Sequence, residues 1–212
     1  MEAGDARMEQ FRALVQAIVS GEVVVARKMV RALPHLAKAR AAYGATRQTA
    51  AEHFYKEILH YMYEGDTALH MAAAAYQEQM ASELIARGGD VRAKNRRGAE
   101  PIHYAADGVP GGPAWNPDAQ AATIACLIAA GADPNVNDKS GVAPLHRAVR
   151  SRCAAAVKVL LESGADVDAA NGRGSTPLLL AMQNTGRGGT GSVRAKAQQA
   201  EILRLLKEYG AR

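Results

Sequence analysis

Four stretches of this chain are copies of one another, and that self-similarity constrains the fold more than any other feature. They are Gly65-Asp66-Thr67-Ala68-Leu69-His70-Met71-Ala72, Gly98-Ala99-Glu100-Pro101-Ile102-His103-Tyr104-Ala105, Gly141-Val142-Ala143-Pro144-Leu145-His146-Arg147-Ala148 and Gly174-Ser175-Thr176-Pro177-Leu178-Leu179-Leu180-Ala181. Their first glycines stand 33, 43 and 33 residues apart, so the middle interval is one period plus ten. Each stretch leads to an apolar pair and a glycine turn: Leu84-Ile85 before Gly88, Leu127-Ile128 before Gly131, Leu160-Leu161 before Gly164, and Leu205-Leu206 before Gly210. A unit this short cannot bury its own apolar face, so neighbouring units must stack.

The motif Thr-Pro-Leu-His-x-Ala at a period of 33 residues resembles the ankyrin-repeat family, over roughly residues 11–212. The resemblance implies an all-α solenoid of about five helix-turn-helix repeats joined by short β-turn fingers. Physical chemistry agrees with each element. Proline at the start of a helix loses no hydrogen bond. Leucine and alanine on one face pack the first helix on the second. The glycines after the second helices sit where a left-handed cap is required.

The expected division is a degenerate N-terminal capping repeat at 8–40, an insertion at 41–64, repeats at 65–97, 98–140 and 141–173, and a C-terminal capping repeat at 174–212. Helix pairs are expected at about 68–86, 101–129, 144–162 and 177–208, after a first pair inside 8–40.

Composition sets bounds. With 212 residues, 48% hydrophobic and 22% charged, the chain suits one domain or a short array and does not read as disordered. A net charge of +5 suits an acidic partner but is too small to indicate nucleic acid by itself. Cys126 and Cys153 do not make a secreted disulfide framework and read as reduced thiols. The acids Glu2, Asp5 and Glu9 stand where a secretory signal would be basic. No apolar run approaches the ~18 residues of a membrane span.

Three insertions interrupt the array. In 41–64, Phe54, Ile58 and Tyr61 recur at i, i+4 and i+7, which predicts a short amphipathic helix. It either folds back to extend the N-terminal cap or stands as an aromatic wall at one end of a binding groove. The second insertion runs from Gly108 to Trp115, ahead of a helix start at Asn116-Pro117-Asp118. Trp115, the only tryptophan, either pins this loop or anchors a partner. The third, Thr185 to Ser192, is glycine-rich but lacks the Gly-Lys-Ser/Thr ending of a phosphate loop and reads as a flexible finger, with Ser192 as helix cap.

Catalytic chemistry is not evident. His70, His103 and His146 lie a repeat apart, about 10 Å, too far to share a metal, and correspond to the family's structural histidine, which orders the stack through backbone bonds. His53 and His60 are seven apart, not the i, i+4 of a zinc helix. Cys153 reads as an exposed thiol at a helix turn, with Arg150 and Arg152 placed to lower its pKa, but no histidine–acid pair accompanies it. No metal or cofactor is expected.

In ankyrin proteins the contact surface is the concave side, built from finger tips and first-helix ends. Carried over position by position, this gives Lys94, Arg96, Arg97, Lys139, Ser140, Arg150 and Arg173 as partner-binding residues, with Asp107 among the helix ends and Trp115 as a candidate outside the strip. The expected function is non-catalytic binding of a protein with an acidic or extended surface. The alternative is nucleic-acid or anion binding by the same strip. A monomer in the cytoplasm is expected, and alanine-rich repeats in a compact chain resemble standalone bacterial ankyrin proteins.

Overall fold

The computed structural model describes residues 2–110, 112, 115–183 and 193–212. The glycine-rich third insertion and Ser192 lie outside the described residues. Helices α1 (Glu2–Val19) and α2 (Val23–Ala32) open the chain. They are followed by α3 (Ala68–Ala74) and α4 (Glu78–Ala86), α5 (Pro101–Ala106) and α6 (Pro117–Ala129), α7 (Pro144–Arg150) and α8 (Ala154–Glu162), then α9 (Pro177–Met182) and α10 (Val193–Glu208). The last four pairs fall where the period predicts them. The first begins at Glu2 rather than near residue 8.

The odd-numbered helices stack on one another in one row and the even-numbered helices in a second row behind. The seam between them is filled by the repeated apolar positions. Leu69, Ile102 and Leu145 are buried from the first-helix row, and Leu84, Leu127 and Leu160 from the second. Each such side chain stabilises the stack by roughly 1.5–3 kcal/mol. Ala72, Ala105 and Ala148 are buried completely, and their small size lets the helices close up.

Glycine is required in two ways. Gly88, Gly131, Gly164 and Gly210 have φ of 84, 98, 85 and 88°, the left-handed conformation that ends each second helix. At the finger tips the constraint is contact: a Cβ on Gly141 would stand 2.6 Å from the backbone nitrogen of Gly172 in the next finger.

The insertion at 41–64 is not an amphipathic helix. A 3₁₀ turn at Ala50–His53 leads into an antiparallel hairpin of β1 (Phe54–Tyr55) and β2 (His60–Tyr61). The seven-residue interval that looked helical makes Phe54 and Tyr61 cross-strand partners, with ring centroids 4.8 Å apart. Aromatic residues favour such pairs, and Leu59 turns the chain at φ 52°, outside helical geometry. The segment leaves and rejoins the array at one place, because Ala41 N–H donates to Asp66 O and Gly65 N–H to Ala41 O. One side of the hairpin faces α1 across a cleft lined by Arg12, Gln16, Tyr55 and Met62. On its other side Phe54, Leu59, His60 and Tyr61 border a cavity together with Tyr104 of α5 and Arg147 and Arg150 of α7.

Candidate functional site

The finger tips are held by one device repeated three times. Asn95, Asp138 and Asn171 each turn a side-chain oxygen back onto two backbone N–H groups, those of Arg97 and Ala99, Ser140 and Val142, and Arg173 and Ser175. Successive tips are then stitched together: Arg96 N–H donates to Glu64 O, Lys139 N–H to Arg97 O, and Gly172 N–H to Ser140 O, at 2.9–3.0 Å. This ribbon sets the tip side chains in line.

Behind the ribbon lies a concavity of about 700 Å³, lined by Arg97, Lys139, Ser140, Arg150 and Arg173, with Arg147 and Leu180 deeper in. Five of the residues expected from the sequence therefore meet in one groove. Two others turn elsewhere. Lys94 stands 3.8 Å from the Glu100 carboxylate. Arg96 reaches back to the carbonyl of Ala45 and over the Tyr63 ring. Trp115 is outside the groove: its Nε1–H donates to Gln120 Oε1 at 3.1 Å, and the Arg194 guanidinium stands 4.6 Å from its ring. Those contacts pin the second insertion to α6 and α10.

The residue after each motif histidine position differs in place from repeat to repeat: Arg147 and Leu180 line the groove, Tyr104 lines the cavity beside it, and Met71 is fully buried. Sequence reasoning passed over this position, although it is the one that varies while its neighbours are fixed by packing. Arg147 is 8% exposed. It bonds Asp138 at 2.9 Å and stands 3.5 Å from Asp107, and its Nε has no hydrogen-bond partner. Asp107, expected at the surface, is buried and accepts from Ser151 Oγ at 2.9 Å. The Asp138 carboxyl lies below its ordinary range: burial opposes this, but bonds from Ser140 N–H, Arg147 and Val142 N–H outweigh it. Both acids are thereby committed to the framework.

Beside the floor, under the hairpin, a second cavity of about 220 Å³ is lined by Phe54, Tyr61, Tyr63, Tyr104 and His60, with Arg97, Arg147 and Arg150 also bordering it. The three arginines also line the larger concavity, so the two spaces adjoin. The Arg97 guanidinium stacks 4.9 Å from the Tyr63 ring centroid and donates to its hydroxyl at 2.9 Å. The His60 ring lies 4.3 Å from that of Tyr104, whose hydroxyl donates to Asp66. His60 Nδ1–H donates to Tyr61 O, and burial lowers the imidazole pKa, so the ring is neutral.

The motif histidines bridge repeats. The Nδ1 atoms of His70, His103 and His146 accept from the backbone N–H groups of Thr67, Glu100 and Ala143, each at 3.1 Å. Their Nε2–H groups donate to Ala99 O, Val142 O and Ala169 O, the first two in the motif of the next repeat and the third in the finger leading to it. Burial lowers all three pKa values, that of His103 to about 3. Leu179 takes this position in the last repeat and is exposed. Among the described residues no three His, Cys, Asp or Glu side chains gather to hold a metal.

Cys153 is not the exposed, acidified thiol expected. It is fully buried, and desolvation pushes its pKa up to about 12. Arg152 is itself buried and directs its guanidinium to the carbonyl of Gln183.

Paired helices in two rows, histidines bridging repeats and a stitched finger ribbon define a helical-repeat scaffold with a groove beside the fingers. The chain belongs to the ankyrin-repeat family. Its residues 116–212 match a family model of three ankyrin-repeat copies and residues 64–96 a single-repeat model, together more than half the chain. It is similar to the ankyrin repeat and SOCS box protein 16 of Mus musculus, 34% identical over 117 residues, which is 55% of this chain and 25% of that protein. The putative palmitoyltransferase ZDHHC13 of Danio rerio is 34% identical over 57% of this chain and 17% of its own length. For the E3 ubiquitin-protein ligase KEG of Arabidopsis thaliana the figures are 34%, 54% and 7%. The matches thus span a quarter or less of each relative, and these relatives are eukaryotic, which gives the bacterial expectation no support. No described helix is long and apolar enough to cross a membrane.

Proposed function

We propose that this chain is a non-catalytic protein-interaction module that takes an extended, acidic segment of a protein along its concave groove. One observation carries the reading: Arg97, Lys139, Arg150 and Arg173 border a single concavity, while the acids beside it, Asp107 and Asp138, are tied to Arg147. Exposed cations aligned on a rigid ribbon attract an acidic surface and speed its association. Nucleic acid is the less favoured occupant. The Tyr63 ring already carries the guanidiniums of Arg96 and Arg97 and does not stand free as a platform for stacked bases. The module acts as a monomer in a reducing compartment such as the cytoplasm, a placement that suits its two free thiols.

A photo-crosslinking residue at Ser140, exposed in the groove, should trap a protein partner in a lysate of the native host. The same residue at Glu162, on α8 behind, should not. Equal trapping at both positions, or trapping at Glu162 alone, contradicts the reading.

A further inference from the structure

We propose that the groove reads spacing: it takes a protein segment in polyproline II conformation that carries Asp or Glu at every third position, one acid for each of Arg97, Lys139 and Arg173. The inference rests on the groove reading above and names what the groove selects.

The cations come one to a finger. Arg97, Lys139 and Arg173 belong to three successive tips, ahead of Gly98, Gly141 and Gly174, and all three are exposed and line the same concavity. Among the described residues the side chains of Lys139 and Arg173 make no ion pair or hydrogen bond. Arg97 is oriented by Tyr63, whose ring it covers at 4.9 Å and whose hydroxyl it reaches at 2.9 Å. Asp138, the acid beside Lys139, is committed to Arg147 and to two backbone N–H groups.

The stack fixes the interval between these charges. Lys139 N–H donates to Arg97 O and Gly172 N–H to Ser140 O, so the tips cannot spread apart. Packed helices stand about 8–10 Å apart, which sets the fingers at the same step. Arg97 and Arg173 occupy the same place in their fingers, directly before the glycine, and so lie about two such steps, roughly 16–20 Å, apart. Lys139 belongs to the finger between them, one residue earlier, and its flexible stem covers the offset. One finger before Arg97 the equivalent residue is Glu64, which repels a fourth acid on that side.

Backbone conformation converts this step into sequence. A polyproline II helix rises about 3.1 Å per residue with three residues per turn, so every third side chain points the same way about 9 Å further on. A β-strand covers that distance in about three residues but turns the third side chain to the opposite face. An α-helix needs about six residues for it. The fingers also offer a strand little to pair with. The N–H groups of Arg97, Ser140 and Arg173 are taken by side chains of their own fingers, and those of Arg96, Lys139 and Gly172 by the carbonyls of the preceding ones. Polyproline II needs no such partner, because its backbone stays solvated.

The test uses the full chain at low ionic strength and synthetic fluorescein-labelled peptides with capped ends. Three Glu stand two, three or four positions apart in a Ser-Pro background of constant length. Fluorescence anisotropy should show the three-position spacing binding about threefold or more tighter than the other two. Glycine in place of the prolines should weaken it, because the looser chain has more freedom to lose. Glu→Gln at one end of the matched peptide should weaken binding to the wild type and leave binding to Arg173→Ser unchanged. A fourth Glu at the same spacing should strengthen binding to Glu64→Lys more than to the wild type. Circular dichroism and urea melts check that the variants fold. Equal affinity at all three spacings, lost together when Arg97 and Arg173 are both changed to Glu, overturns the spacing and leaves the groove standing. Binding no weaker with glycine than with proline overturns the polyproline II conformation. A single-stranded oligonucleotide that displaces the matched peptide more readily than the unlabelled peptide does overturns a protein segment as the occupant. No measurable binding at any spacing, or binding indifferent to the double charge reversal, overturns the spacing and the groove together.

Discussion

The Arg147 guanidinium donates to the Asp138 carboxylate across 2.9 Å, tying helix α7 to the finger that precedes it. Asp138 spends its other oxygen on the N–H groups of Ser140 and Val142, so one carboxylate orders a tip of the binding edge and anchors a cation in the groove floor. Position and charge of the groove depend on each other through this pair.

Removing one partner of a buried ion pair costs more than the pair contributes, because the other charge is left desolvated; the loss is typically ~3–5 kcal/mol. Asp138→Ala also frees two turn N–H groups. Arg147→Met leaves Asp107 with its bond from Ser151 and Asp138 with its bonds from the finger backbone. In urea melts Asp138→Ala should therefore be the more destabilising change. The reverse order would mean that the finger does not depend on Asp138.

The histidines make stability depend on pH. An unfolded histidine takes a proton near its ordinary value of 6.5, whereas folded His103 stays neutral down to about 3. Below pH about 6.5 the unfolded state therefore binds more protons, and stability falls as pH falls. His103 alone should remove about 2 kcal/mol between pH 7 and pH 5, and the lowered values of His70 and His146 act in the same direction. Urea melts at the two pH values measure it. His103→Ala should cost ~1–3 kcal/mol at pH 7 through its lost bonds and should flatten the remaining pH dependence. An unchanged slope would remove His103 from this role.

The thiols should differ in reactivity. Cys126 is half-buried beside Ser82, while Cys153 is sealed beneath the second insertion with its pKa pushed up to about 12. An aromatic disulfide reagent at pH 8 should label Cys126 first and Cys153 only through opening of the structure. A Cβ on Gly108 would stand 2.6 Å from Cys153 Sγ. Overpacking of that kind costs ~1–3 kcal/mol, so Gly108→Ala should raise Cys153 labelling about tenfold or more. Equal rates for both thiols in the wild type would contradict the buried assignment.

Much of the fold was legible because repetition exposes it. The helix pairs, the capping glycines and the bridging histidines all sit at fixed offsets from one motif, and each offset has a local physical cause. The finger device of Asn95, Asp138 and Asn171 was equally readable, three residues before each tip glycine, yet its role shows only when the turns close on it. The hairpin at Phe54–Tyr61 was misread because a spacing of seven fits both a helix face and a cross-strand pair. The buried state of Asp107 and Cys153 was hidden for a different reason. It depends on the second insertion and on Arg147, contacts made between repeats, and a one-repeat pattern carries no information about them. The cationic tips were visible from the period, but which of them enter the groove was not: Arg97 and Arg173 do, while Lys94 and Arg96 find partners elsewhere.

The central claim is that the concave groove captures an acidic partner, and charge reversal of Arg97 and Arg173 to Glu tests it most directly. Both side chains are exposed, so the urea midpoint should correspond to a stability change within about 0.5 kcal/mol. Capture of the native partner by the double variant should fall several-fold at low salt, and the deficit should narrow at high salt as the charges are screened. Undiminished capture at low salt by a stably folded double variant would contradict the account.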